Sequence, residues 1–298
     1  MTLVDVINFF DTDERCRELL VRLRWPNGVE CPRCKMPAVE LATAKQLFYC
    51  KGCDYQFSVT SGTIFNDSHL PLQKWFLATL LLCESRKGHS ANQMKRELGV
   101  SYKTAWYLCH RIRYAMTEVH KMLDGTIEVD ETYVGGRAKG VGTGNYRDSK
   151  AVVIGIIQRG GDLKFIHVKE GTSKAIRAVM EEHVSEDVDV IVTDESVLYA
   201  SGLPKTQRSK RKAVNHKAEE YVRYEKGMMV TTNTVESAFS LLKRGIIGTW
   251  HRVSPKHLAA YLNEMTFRFN RRKSHTLFLD TLRHMVTAPV LTFERLTA

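Results

Sequence analysis

Residues 126–134 read "TIEVDETYV". In an extended chain Ile127, Val129 and Tyr133 fall on one side and Glu128, Asp130 and Thr132 on the other, the period-two pattern of a strand. An acidic face on the first strand of a domain is costly to bury unless a cleft or a metal uses it. Working outward, further strands are expected over 151–158, 163–169 and 188–193, and helices over 173–183, 234–244, 255–270 and near 276–286. Three strands, a helix, another strand and then helices predict a mixed α/β layer structure.

Two later stretches carry acids that could join this strand. "VDVIVTDE" is apolar until Asp194 and Glu195, at the strand end where α/β sheets place their sites. "TTNTVESAFSLLKRG" places Val235, Ala238, Phe239 and Leu242 at helical spacing, a buried stripe, with Glu236 and Lys243 on its rim two turns apart. Taken alone, that rim reads as a solvated helix edge. Carboxylates from two strands and one helix can converge on Mg2+ or Mn2+, hard ions that take oxygen ligands. Two such ions about 4 Å apart serve phosphoryl transfer.

The chain has 298 residues, with 44 Lys and Arg against 33 Asp and Glu, a formal net charge of +11. That surplus favours a polyanionic partner, nucleic acid before membrane. The start, "MTLVDVINFFDTDER", lacks the basic region of a secretory signal, and the longest apolar run, Trp75 to Cys83, is too short to span a bilayer. A cytoplasmic, reducing setting is therefore expected, where the seven cysteines serve as metal ligands or buried thiols. Cys31, Cys34, Cys50 and Cys53 spell C-x2-C-x15-C-x2-C, two tight turns that can aim four thiolates at one tetrahedral Zn2+. With all four positions taken by cysteine, that zinc would be structural. Cys16, Cys83 and Cys109 lack such spacing and read as core thiols.

Three blocks result. Residues 1–68 hold an amphipathic helix (13–24) and the zinc ribbon; 69–123 are helical; 124–298 are the strand-rich block and its helices. In the middle block "SANQMKRELGVSYKTAWYLCHRIRYAM" suggests a helix, a turn at Gly99 and a second helix capped by Ser101, with Met94, Leu98, Val100, Ala105 and Leu108 between them. This is a helix-turn-helix candidate whose second helix would present Tyr102, Lys103 and Thr104, then Arg111 and Arg113, to DNA. The alternative is a plain helical hairpin.

The motifs "LRWPNGVECPRC", "FYCKGC", "SGTIF", "EVDETYVGGR", "VTDES", "VNH" and "NTVESAFSLLKRGIIGTWHRVSPKHLAAYLNE" run in order through almost the whole chain. With them the sequence resembles bacterial insertion-sequence transposases of the DDE type, the ISXO-like group with an N-terminal zinc ribbon, related to the Merlin transposons. The resemblance implies an RNase H-like catalytic domain whose catalytic, metal-binding acids fall on Asp130, Asp194 and Glu236, with a lysine that falls on Lys243 as a phosphate contact. Some members carry Asn as the third acid. Here Glu236 holds that position, and Asn233 one turn earlier is kept as a neighbour of the site or a helix cap. The implied function is binding of an element's inverted-repeat ends and Mg2+-dependent DNA cleavage and strand transfer, by a homodimer or higher oligomer at the nucleoid. A non-catalytic DNA-binding regulator and a hydrolytic nuclease of the same fold are the rivals.

Other residues are set lower. Glu131 and Glu195 adjoin the acids but are expected to face elsewhere. His216 and His251 read as structural or DNA-contacting. Arg137 and Lys139 lie in a glycine-rich hairpin, "GGRAKGVGTGNYRDSK", which lacks the order of a nucleotide loop. The basic runs "KTQRSKRKAVNHK" and, around Arg271, Arg272 and Lys273, "FRFNRRKSH" are balanced between solvated surface and DNA-backbone contact.

Overall fold

A computed structural model of the chain describes residues 2–41, 46–117, 121–135 and 150–298. The expected glycine-rich hairpin with Arg137 and Lys139 lies outside the described residues. The chain divides into two compact units, Met1–Thr117 with Ser274–Ala298, and Glu118–Lys273. The cut differs from the three sequence blocks: the first two share one unit, and Ser274–Ala298 joins them instead of the strand-rich block.

In the first unit, helix α1 (Leu3–Phe9) opens with a reciprocal cap between Thr2 and Asp5. Helix α2 (Asp13–Arg24) follows where the periodicity expects it. Three short antiparallel strands, β1 (Val39–Glu40), β2 (Phe48–Cys50) and β3 (Tyr55–Phe57), pair in sequence order. Their small core of Phe48 and Phe57 is closed by Val21 of α2 and by Trp25, whose ring meets Phe48 edge-on at 5.5 Å.

Helix α3 (Leu72–Glu84) buries Trp75, Phe76, Ala78, Leu80 and Leu82, apolar on nearly every side. Such a helix needs neighbours all round, and the C-terminal helix Leu277–Thr287 is one of them. The Phe278 ring lies 6.0 Å from Phe76, and the Thr281 hydroxyl is 3.2 Å from the Cys83 thiol. This packing is why the C-terminal segment leaves the strand-rich block. Helices α4 (Ala91–Leu98) and α5 (Tyr102–Ala115) are joined through Gly99, left-handed at φ +60°, and the Ser90 and Ser101 hydroxyls accept the N–H groups of Gln93 and Thr104.

The second unit is built on a five-stranded mixed sheet. Its strands are β4 (Thr126–Val134), β5 (Ala151–Gln158), β6 (Leu163–Val168), β7 (Val190–Asp194) and β8 (Arg211–Val214), ordered β6-β5-β4-β7-β8. The β6-β5-β4 pairs are antiparallel; β7 lies parallel to β4 and β8 parallel to β7. Helices α6 (Ser173–His183) and α7 (Val197–Gly202) send Ile176, Val179 and Tyr199 into one core, with Ile127 and Val129 from the sheet. A short hairpin, β9 (Arg223–Glu225) and β10 (Met228–Val230), leads into α8 (Asn233–Gly245), and α9 (Pro255–Asn270) follows. These two helices send Val235, Phe239, Leu258 and Leu262 into the other core, with Val134, Val153 and Phe165. Covered on both faces, β5 reads "AVVIGIIQ", a nearly continuous apolar run.

The last residues of "KTQRSKRKAVNHK" are not a solvated loop. Arg211–Val214 is the edge strand β8, and its neighbouring cations bond to groups of the chain itself. Arg208 donates to the carbonyls of Leu203 and Ser201, Lys210 to that of Glu186, and Lys212 pairs with Glu225. A parallel edge strand, short and charged, gives no apolar run for periodicity to find.

Candidate functional site

The four cysteines come together as their spacing expects. Their sulfurs all lie within 4.8 Å of one another, with Cys31 to Cys53 at 3.7 Å and Cys34 to Cys50 at 3.4 Å. Lys35 and Asp54, each four residues after the first cysteine of its pair, both take left-handed backbone, at φ 65° and 52°, so each loop folds back on its own thiols. Burial resists ionisation of Cys31, but backbone donors at Cys34 and Arg33 and the thiols of Cys53 and Cys34 outweigh it and hold its pKa down to about 6. Cys53, beside the Cys34 sulfur, drawn out of water by the cluster around it, and beside Cys31 and Cys50, is pushed up to about 12. A sulfur-only cluster with one readily formed thiolate can hold Zn2+. Cys16, Cys83 and Cys109 are buried, as core thiols should be.

The acids lie in the second unit. The parallel register Glu128↔Val192 puts Asp130 and Asp194 each two residues beyond the last pair on adjacent strands, on the same side of the sheet. Glu236, in the first turn of α8, lies near enough for its charge to act on Asp130. Burial pushes the Asp130 carboxyl up to about 7, helped by the charges of Glu131, Asp194 and Glu236 and opposed by the Glu131 N–H. Among the described residues only the cysteines close to within 4.8 Å as a set, so the three acids face one another across a wider gap. The Asp194 carboxylate accepts the Ser196 N–H at 3.0 Å. The Thr232 hydroxyl donates to Glu236 Oε1 at 2.9 Å, and His216 Nε2 lies 3.6 Å from that oxygen and 3.3 Å from the hydroxyl. Lys243 is exposed on α8.

Helix α8 approaches the sheet closely at Gly155, the residue paired with Asp130. A Cβ at Gly155 would lie 2.6 Å from the Phe239 ring and 3.0 Å from Val235, so only glycine lets the helix bring Glu236 down to Asp130. Its N-terminus is fixed from below. Thr232, at the cap position, offers no capping side-chain bond. Instead the fully buried Glu128 carboxylate accepts the N–H groups of Thr234 (2.8 Å) and Val235 (3.1 Å) and the Thr234 hydroxyl (2.8 Å). Arg159 pairs with Glu128 at 2.8 Å and donates to the carbonyls of Thr231 and Met229. Asn233 is exposed, at the first helical position and not the cap. Glu128 was visible in sequence only as a polar position of a half-apolar strand, and Gly155 as a lone glycine inside the apolar run "AVVIGIIQ", a mark of close approach; Arg159 and Thr232 carried no sequence signal.

The remaining residues divide. Glu131 faces the α7 side, where the Tyr199 hydroxyl donates to it, and Glu195 is exposed. His251 is exposed and its Nδ1 sits 2.9 Å from the Ile247 carbonyl. Tyr102 and Lys103 are exposed at the start of α5, with Lys103 Nζ 4.5 Å from the Phe293 ring centre; Thr104 is half-buried. Arg111 and Arg113 contradict their expected place on the DNA-facing surface: both are buried. Arg111 donates to the Asn66 carbonyl at 2.7 Å and stacks over Trp75, while Arg113 donates to the His89 carbonyl at 3.0 Å. They are the tenth and twelfth residues of α5, in a later half that is buried nearly throughout, so their charge serves backbone carbonyls. Arg271 and Arg272 lie over the rings of Phe267 and Phe269.

Residues 122–270 match the ISXO2-like transposase domain, and residues 11–56 match a transposase zinc-ribbon domain. The chain is 32% identical over 281 residues, 88% of its own length and 92% of the relative's, to an uncharacterized protein in transposable element ISH50 of Halobacterium salinarum. No described helix is long and apolar enough to cross a membrane. With one domain model spanning the α/β unit, a second spanning the cysteine cluster, and a transposable-element relative along nearly the full length, the chain belongs to the ISXO2-like transposase family.

Proposed function

We propose that the protein is a metal-dependent DNA transposase that binds the inverted-repeat ends of its element, cuts them and joins the freed 3′ ends to target DNA. The observation that carries this reading is the grouping of Asp130, midway along β4, with Asp194, at the end of its parallel neighbour β7, and Glu236, in the first turn of α8, whose charges both act on Asp130. The sheet order, with three antiparallel strands followed by two parallel ones, supports an RNase H-like assignment. The oxygen-only donor set, partly open, with the Asp130 carboxyl pushed up by burial and by the acids around it, fits Mg2+ or Mn2+; two such ions would supply charge at the attacking and leaving oxygens of a phosphodiester. Asp130, Asp194 and Glu236 would hold them, and Thr232 orients the Glu236 carboxylate through its hydroxyl. Exposed Lys243 would contact a phosphate beside the scissile bond.

In the same reading α4 and α5 form a helix-turn-helix that meets DNA through Tyr102, Lys103 and Thr104, without Arg111. The ribbon holds one structural Zn2+, and the active form is a dimer or higher oligomer bridging two ends. The test is strand transfer with end-containing DNA and Mg2+. The native chain should give joined products, and Asp130→Ala, Asp194→Ala and Glu236→Gln should bind DNA without cutting it. Normal cutting and joining by any of the three would sink the assignment of that residue.

A further inference from the structure

We propose that Glu128, held by Arg159, is a positioning residue that sets the separation of Asp130 and Glu236, and so the affinity of the site for its divalent ions. The proposal rests on the three acids being the metal site. Glu128 and Asp130 are two residues apart on β4 and share a face, one pleat repeat along a rigid central strand. Glu236 lies one residue after Val235, whose N–H Glu128 accepts. One strand therefore carries both the first acid and the clamp on the helix that carries the third.

The clamp is well satisfied. Glu128 takes four donors, two backbone N–H groups, a hydroxyl and a guanidinium, in full burial. Charge-assisted bonds of this kind are short and directional, and a buried carboxylate at a helix N-terminus is favoured by the helix dipole. Arg159 extends the hold to the carbonyls of Thr231 and Met229, on the chain entering α8. Thr232, which bonds the Glu236 carboxylate, lies within that same held segment. With its oxygens so engaged, Glu128 is not a metal ligand, although it neighbours Asp130; its action on the ions passes through Glu236.

Mn2+ binding to the zinc-loaded full chain without DNA, followed by loss of the free-ion EPR signal, reads the site apart from turnover. Glu128→Gln keeps the shape and one acceptor oxygen but loses the charge. It is expected to weaken Mn2+ binding about tenfold, the lower end of what losing a group that orients a metal ligand costs. Arg159→Lys should shift binding the same way by less, and carries the test alone if Glu128→Gln does not fold. Native Mn2+ affinity in a folded variant, even with a lowered Tm, would mark a purely structural tie and overturn the proposal. Asp130→Asn separates the two layers. If it binds Mn2+ like the native chain, the metal site itself is misassigned and both readings fall. If it loses binding while Glu128→Gln retains it, the metal site stands and the positioning role falls.

Discussion

The cysteine cluster and the carboxylate cluster are both candidate metal centres, and they are assembled in opposite ways. The first and last cysteines are 22 positions apart in sequence, in two similar loops, and the four sulfurs are already gathered within 4.8 Å. The acids are drawn from Asp130, Asp194 and Glu236, across three elements, and remain spread beyond that span. Neutral or singly ionised thiols can pack against one another with little repulsion, whereas buried carboxylates repel and raise one another's pKa. A local cluster can be built by two turns; a dispersed one needs a sheet, a glycine and a clamped helix to hold it.

The largest expected effect tests the acids. Asp130→Asn should cut DNA cleavage and joining by about 10³-fold or more, assayed on end-containing DNA. Without divalent ions the same change should not destabilise the fold. Burial and the neighbouring acids hold the Asp130 carboxyl at about 7 in the folded chain, against 3.8 for a free aspartate side chain. The native chain therefore binds that proton more tightly when folded and loses stability as pH rises from about 4 through about 7. Asn should remove that loss, seen as a flatter Tm profile against pH in chelator.

The ribbon should behave the other way. Cys31→Ser, or a strong chelator, should release zinc and open residues 11–56 to protease, since structural Zn2+ contributes about 10–16 kcal/mol to folding a small domain. Metal analysis together with mapping of the cleavage sites checks this. If cleavage by the acid site survived while the ribbon opened, the contrast between a structural and a catalytic centre would be sharpened.

Smaller effects probe the scaffold and the exposed start of α5. Gly155→Ala forces a methyl into the Phe239 ring. Overpacking of this kind costs about 1–3 kcal/mol, and Tm should fall by several degrees with activity falling alongside. At the other end, Tyr102→Ala with Lys103→Ala should weaken DNA binding several-fold with Tm unchanged, measured by a salt-dependent binding assay. Arg111→Met should do the reverse, lowering Tm while sparing the exposed surface, because its guanidinium is spent on the Asn66 carbonyl and the Trp75 ring.

Much of the plan was legible from pattern. Strand β4, strand β5 and helices α2, α6 and α9 begin and end where alternation, helical spacing and turn residues put them. Strand β7 reaches Asp194 itself, one residue past the expected end, so that the acid closes the strand. The stripe of Val235, Ala238, Phe239 and Leu242 is buried as its spacing implies. Short elements were hidden: α7, β8 and the β9-β10 hairpin are too brief or too polar to show a period. Arg111 misled because helical spacing tells which residues share a face, not which faces a tertiary fold encloses.

What the sequence alone determined was therefore local: the four-cysteine turns, the alternating strand that carries Asp130, and the amphipathic helix that carries Glu236. Each is set by residues within one or two turns of one another. Only the tertiary structure decided how those pieces meet. It paired Asp130 with Gly155, so that the helix could come close, and seated Glu128 under Thr234 and Val235 in place of a local cap. It also joined Ser274–Ala298 to the first unit, through the apolar surface of α3. These are contacts between residues far apart in the chain, and their energies depend on burial and geometry that no short window of sequence contains.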